Sequence, residues 1–214
     1  MKVIQNKVKE IIEKKQLKTL PEIIAVTKTF PDNAFLPLLK MGHIHFGENK
    51  IQEAESKWSQ LKKDFKNLKL HMLGKLQSNK AKKAIKLFDY IHSLDSEKLA
   101  IKLDKYQKEL NKKVKFFIEI NIAEESQKSG ILLNNLNSFY NFCTKDLSLD
   151  VIGLMCLPPF DKDPDNYFKL LKKKSDELKL NDLSMGMSGD YEKAILLGST
   201  YIRLGTAIFG ERKN

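Results

Sequence analysis

Residues 22–29, EIIAVTKT, decide the fold: a short, apolar, β-branched run that ends on a lysine and is followed by a proline at 31. Similar stretches recur at 44–49 (IHFGEN), 70–76 (LHMLGKL), 90–94 (YIHSL), 114–121 (VKFFIEIN), 151–157 (VIGLMCL), 183–187 (LSMGM) and 201–208 (YIRLGTAI), which makes eight candidate strands. Between them, 32–42, 50–66, 78–88, 96–110, 132–146, 164–179 and 190–198 have helical length and pattern, and several follow an Asp, Ser or Asn that reads as an N-cap. Val3, Ile4, Val8, Ile11 and Ile12 recur at helical spacing, so an amphipathic helix over about 1–17 opens the chain ahead of Pro21. Strand and helix alternating eight times imply parallel pairing through helical crossovers. The expected fold is therefore α/β, a single closed (β/α)8 TIM barrel over residues 1–214, with an open doubly wound sheet as the runner-up.

The 214 residues are 42% hydrophobic, which suits one packed domain rather than a disordered chain. No apolar run approaches the roughly 20 residues of a bilayer span, and the N-terminal MKVIQNKVKEIIEKK places charges where a signal peptide needs an apolar stretch. A soluble, cytoplasmic protein is expected. Cys143 and Cys156 have no ligand-like or disulfide-framework spacing and read as core thiols. The 38 Lys and Arg against 27 Asp and Glu give a net charge of +11, which raises nucleic acid as a partner. The lysines are scattered over nearly every polar segment, without an aromatic platform, and the denser runs at 61–70 and 79–86 suit solvated helix faces, so that reading ranks last.

In such barrels the chemistry sits at the C-terminal ends of the strands, with phosphate held after strands 7 and 8. Two-residue alternation puts Ile24, Val26 and Lys28 on one face. If that face lines the barrel, Lys28 projects into its mouth, where a lysine is costly unless paired, deprotonated or covalently bound. The structural alternative is a strand-end lysine snorkelling to solvent, and strand pattern does not separate the two. Strand 7 runs into Ser188-Gly189-Asp190 and strand 8 into Gly205-Thr206, glycines and hydroxyls that together would form a phosphate cup, although each alone is ordinary turn chemistry. Arg203 shares the parity of Gly205 and should lie deep in the barrel, either in an ion pair with Glu48 or Glu211 or as a donor to a ring nitrogen or anion. Asn49 and His71 could complete a polar wall. His43, His45 and His92 form no metal-ligand spacing with them, and no metal is expected.

IIAVTKTFP (23–31), GHIHFGENKIQEAESKW (42–58), HMLGKLQSNKAK (71–82), NIAEESQKSGI (121–131), GLMCLPP (153–159) and the long block from LSMGM to FGER (183–212) together resemble the pyridoxal phosphate homeostasis proteins (YggS/PROSC-type). The resemblance spans nearly the whole chain, in family order. It implies a barrel like the N-terminal domain of alanine racemase and a bound pyridoxal 5′-phosphate (PLP). It also implies Lys28 as the Schiff-base lysine, Ser188, Gly205 and Thr206 at the phosphate, Arg203 facing the pyridine nitrogen, and Asn49 and His71 lining the pocket. Lys50, where an aromatic commonly follows GEN, and Cys156, where alanine is usual, depart from the family pattern.

Three functions follow. The first is a non-catalytic, monomeric PLP carrier in vitamin B6 homeostasis that exchanges cofactor with PLP-dependent apoenzymes. It is favoured because eight units exhaust the 214 residues, leaving no second domain to supply an opposite-face base, and because arginine at the ring nitrogen makes PLP a poor electron sink. The second is a low-efficiency PLP-dependent amino-acid racemase or transferase. The third is nucleic-acid binding.

Overall fold

The computed structural model describes residues 1–211; Arg212, which closes the FGER stretch, and the last two residues of the expected 1–214 domain lie outside the described residues. Eight strands, β1 (Glu22–Val26), β2 (His45–Glu48), β3 (Lys69–Met72), β4 (Tyr90–Leu94), β5 (Lys115–Ile120), β6 (Asp150–Cys156), β7 (Asp182–Met187) and β8 (Tyr201–Leu204), pair in sequence order and close into a barrel. Every pairing is parallel, including the closing β1–β8 pair, which matches Ile24 with Arg203 and Ala25 with Leu204. This is the closed barrel rather than the open sheet.

Outside lie α1 (Lys2–Lys14), α2 (Asp32–Lys40), α3 (Ile51–Asp64), α4 (Ala81–Leu87), α5 (Glu97–Glu109), α6 (Leu136–Asn141), α7 (Asp165–Glu177), α8 (Tyr191–Leu196) and a short α9 (Thr206–Phe209). The spans follow the sequence pattern with differences: β1 stops at Val26 rather than at 29, β3 at Met72 rather than at 76, and the expected helix over 132–146 is the short α6 between a 3-10 turn and a π turn. The eighth apolar run stops being strand at Leu204, because Gly205 turns the chain into α9. Ser96 and Asp190 do stand at cap positions, yet neither makes a side-chain bond to its helix, and Pro31, Lys50 and Pro164 occupy the same position elsewhere. These helices are held by tertiary packing more than by caps.

Period-two alternation sorts the side chains. Ala25, Phe46, Leu70, Met72, Ile118 and Leu154 point outward into one large core with the helices, where Trp58 of α3 stacks on Phe35 and Phe46 at 4.6 and 4.9 Å. On α1, Ile4 and Val8 pack on Ile23, Tyr191, Ile195, Ile202 and Leu204, while Val3 is exposed. The inward face holds Ile24, Val26, Leu73, Tyr90, Phe117, Met155 and Tyr201. Buried His45, His71, His92, Ser184 and Arg203 share it by parity, so this interior is more aromatic and polar than the branched aliphatic filling common in such barrels. A Cβ on Gly153, which pairs with Asp182 across β6 and β7, would fall 2.1 Å from the Asp182 carbonyl oxygen. Gly153→Ala is therefore expected to lower stability by about 1–3 kcal/mol, read as the urea midpoint. Gly189→Ala, with nothing within 4 Å of its added methyl, should leave that midpoint in place.

Candidate functional site

The C-terminal ends of the strands open into a cleft of about 630 Å3, lined among others by Lys28, Asn49, Ser188, Arg203, Gly205 and Thr206. Six of the seven residues singled out in the sequence thus meet in one place, contributed by the loops after β1, β2, β7 and β8 and by β8 itself.

Lys28 lies two residues beyond the end of β1 rather than on it. The Thr27 N–H continues the ladder to Gly47 O at 2.9 Å, and the Phe30 N–H then closes a turn on Thr27 O at 3.1 Å. Thr29 stands in that turn at φ 65°, an uncomfortable conformation for a β-branched residue. It is held by Glu53, whose Oε1 accepts from the Thr29 N–H at 2.5 Å and from Lys57 Nζ at 2.6 Å. Lys57 also donates to Thr27 O at 2.8 Å. Beneath them, fully buried Glu48 Oε1 accepts from the Thr27 hydroxyl at 2.6 Å and the Trp58 indole at 3.0 Å. Burial raises the Glu48 carboxyl pKa, and those two donors and Lys57 work against it. The residues on both sides of Lys28 are therefore tied down. Asn49 follows β2, and its backbone lies so close to Gly74 that a Cβ there would meet Asn49 O at 2.4 Å; only glycine lets the β3 loop pack on it.

On the opposite wall, Ser188 Oγ accepts from the backbone N–H groups of Gly205 and Ala207 at 3.3 and 3.2 Å. Those are long bonds, so an anion could take the place of the Ser188 oxygen as acceptor of the two N–H groups and accept from the Ser188 hydroxyl as well. Arg203 is buried and forms no ion pair among the described residues, which corrects the expectation of a partner in Glu48 or Glu211. Glu48 points out of the barrel toward Trp58, and Glu211 is exposed. Instead, Arg203 donates from Nη1 to Ser184 Oγ at 2.7 Å and from Nη2 to the Cys156 carbonyl at 2.9 Å. Cys156 itself faces the core outside the barrel, where burial pushes its thiol up to about 12.

His71 is the exception. It does not line the cleft: it is fully buried in the barrel interior, between His45 and His92 at 2.9 Å each, because residue 71 lies below the level at which the strands open. Sequence reading also missed Lys193, whose ammonium pairs with Asp163 at 2.8 Å and lies in the cleft wall, and Glu119 on β5. Parity from Phe117 places Glu119 on the inward face, which was the available signal.

The chain matches the family model described as "Alanine racemase, N-terminal domain" over residues 4–213. Curated relatives named "Pyridoxal phosphate homeostasis protein" include those of Aquifex aeolicus, 36% identical over 201 residues (90% of this chain, 87% of that one), and Synechocystis, 37% over 206 residues (91% and 94%). The chain belongs to the pyridoxal phosphate homeostasis protein family. PipY of Synechococcus elongatus, a solved structure 34% identical that covers 95% of this chain and 100% of its own, superposes with a TM-score of 0.84 without PLP and 0.82 with PLP bound. An alanine racemase of Clostridium difficile shares the fold, with a TM-score of 0.72 at 17% identity over 98% of this chain and 56% of that one.

Within this barrel, Glu119 has a carboxyl pushed up to about 7, first by burial and then by Asp95, against the fields of Arg203 and Lys75. A folded pKa above the unfolded one means stability that is fully present below about 4.5 and lost as pH rises through about 7. Glu119→Gln removes that loss. Relative to the wild type it should gain on the order of 3 kcal/mol between pH 4.5 and pH 8, and parallel urea melts at the two pH values check it.

Proposed function

We propose that this chain binds pyridoxal 5′-phosphate in the cleft and acts in PLP homeostasis as a carrier, with residues 1–214 working as one domain. The carrying observation is that an amine, Lys28, and a cup of backbone N–H groups and hydroxyl at Ser188, Gly205 and Ala207 face each other across one cleft of about 630 Å3. The donor set fits the group. A dianionic phosphate suits converging N–H donors with Thr206 beside them, a lysine suits an aldehyde, and a guanidinium with two N–H groups already engaged suits a ring nitrogen that accepts. Bound PLP would supply an electrophilic aldehyde and a conjugated ring. Lys28 would hold it covalently, Ser188, Gly205 and Thr206 would fix the phosphate, Arg203 would face the ring nitrogen, and Asn49 would form the wall beside it.

Carriage is favoured over turnover by Arg203, since a cation opposite the ring nitrogen opposes its protonation and weakens the ring as an electron sink. The alternative is a low-efficiency amino-acid racemase, which turnover clearly above that of free PLP would support. Exchange with PLP-dependent apoenzymes, a monomeric state and a cytoplasmic location belong to the same proposal; among the described residues no helix is long and apolar enough to cross a membrane. Nucleic-acid binding is disfavoured because lysines of the basic runs are engaged by carboxylates, Lys62 with Asp89, Lys82 with Glu109 and Lys83 with Glu55.

Purified protein mixed with PLP should develop a new absorption band. Borohydride reduction and peptide mapping should then put the adduct on Lys28, and Lys28→Ala should lose both. A band unchanged in Lys28→Ala, or no adduct at all, overturns the assignment.

A further inference from the structure

Six polar side chains run end to end through the barrel interior, from its N-terminal end to the cleft floor. Arg203 Nη1 lies 2.7 Å from Ser184 Oγ, which lies 2.8 Å from His92 Nδ1. His92 Nε2 lies 2.9 Å from His71 Nδ1, and His71 Nε2 lies 2.9 Å from His45 Nδ1. His45 Nε2 faces Glu22 Oε2 at 3.4 Å, beside a cavity of about 440 Å3 at the other end of the barrel, which Glu22, His43 and His45 help to line.

Elementary donor rules fix the direction of this chain. A guanidinium only donates, so Ser184 Oγ must accept from Arg203. Ser184 Oγ has His92 Nδ1 as its one hydrogen-bond acceptor among the described residues, so the hydroxyl proton goes there and His92 Nδ1 is unprotonated. The His92 proton therefore sits on Nε2 and is donated to His71 Nδ1, and the same logic passes through His71 and His45 to the Glu22 carboxylate. Charge is excluded along the way. Burial, before any other cause, holds His71 and His92 well below 6.5 and His45 down to about 4. His92 faces Arg203, Phe117 and Tyr201; His71 faces Tyr90, Tyr201 and the field of Lys62; His45 faces Tyr90, Tyr201, His43, Lys69, Asp89 and Glu22. Among the described residues the carboxylates beside this chain are Glu22 and Asp89 at its outer end, Asp182 beside Tyr201, and Glu119 and Asp190 near Arg203 at its inner end.

We propose that His92, His71 and His45 are positioning residues for Arg203: a one-directional chain of Nε2–H imidazoles that obliges Ser184 to accept and so fixes the guanidinium at the cleft floor. The inference rests on the PLP reading for its consequence, because Arg203 is the group set against the ring nitrogen, but the chain itself exists without a ligand. It gives three interior histidines, which do not line the cleft, a common role.

Two measurements test it. Nitrogen-15 NMR of the histidine rings in unloaded protein at pH 7 should show all three as neutral Nε2–H tautomers; any one of them Nδ1–H or doubly protonated overturns the chain. In PLP-loaded protein, His71→Leu should keep the adduct on Lys28 but shift the pH midpoint of the bound-PLP absorption band by on the order of one unit. His71→Gln, which can both donate and accept, should restore most of that shift. An unshifted midpoint in His71→Leu overturns the coupling, and if that variant fails to fold, Ser184→Ala carries the same expectation. A wild type that gives no band at all would sink the PLP reading separately, leaving the tautomers to decide the chain.

Discussion

Closure of the sheet between β1 and β8 is the constraint on which the site depends, since it joins the first element of the barrel to the last. Ile24 pairs with Arg203, so the lysine four residues further along one strand and the glycine two residues further along the other emerge on the same rim. Period-two alternation does the rest: Ile24 and Val26 fill the interior, and Lys28 comes out above them into the cleft. An open sheet with the same strands would leave Lys28 and the Ser188–Gly205 cup on different edges. Fold and site are one consequence of a single hydrogen-bonded seam.

The seam positions Lys28 but does not immobilise it, because the lysine lies beyond the last ladder bond. That task falls to a second layer that joins α3 to the turn. Glu48 collects Thr27 and Trp58, and Glu53 collects Thr29 and Lys57. A buried carboxylate is expensive to desolvate, and the donors that converge on Glu48 Oε1 reduce that cost without cancelling it, since burial still raises its pKa. The strained Thr29 is tolerated for the same reason: its N–H has a charged acceptor at 2.5 Å that the turn presents directly to it.

Much of this was legible in the sequence. Strand and helix positions followed from apolar periodicity, and strand parity put Arg203 inside the barrel, because both signals come from local geometry that the closed sheet preserves; Lys28, past the end of β1, lines the cleft. What parity cannot supply is depth. His71 stands near the start of the 70–76 stretch and Asn49 at the end of 44–49, and the register that sets His71 level with Gly47 leaves it sealed in the interior while Asn49 reaches the cleft. The partners of Arg203 were unreadable for a related reason. A hydroxyl on β7 and a backbone carbonyl on β6 satisfy it, and neither advertises itself beside the conspicuous carboxylates Glu48 and Glu211. Lys193 and its carboxylate partners Asp163 and Asp165 lie on separate elements that only the closed barrel brings together.

The cleft's charge bears on how it would work as a carrier. Lys28, Lys162, Lys193 and Arg203 line it, against Asp190, whose Oδ1 already accepts from the Met187 N–H at 2.5 Å. A concave site with that balance draws a phosphorylated anion by its field before any specific contact forms, and the pull weakens as salt screens it. Lys193 is partly neutralised by Asp163 and Asp165, so the field is concentrated toward the Ser188–Gly205 wall and the Arg203 floor. Capture by field, followed by anchoring at an amine, needs no proton to be moved on the ligand's carbon. That sequence of steps is the one the proposed carrier role requires.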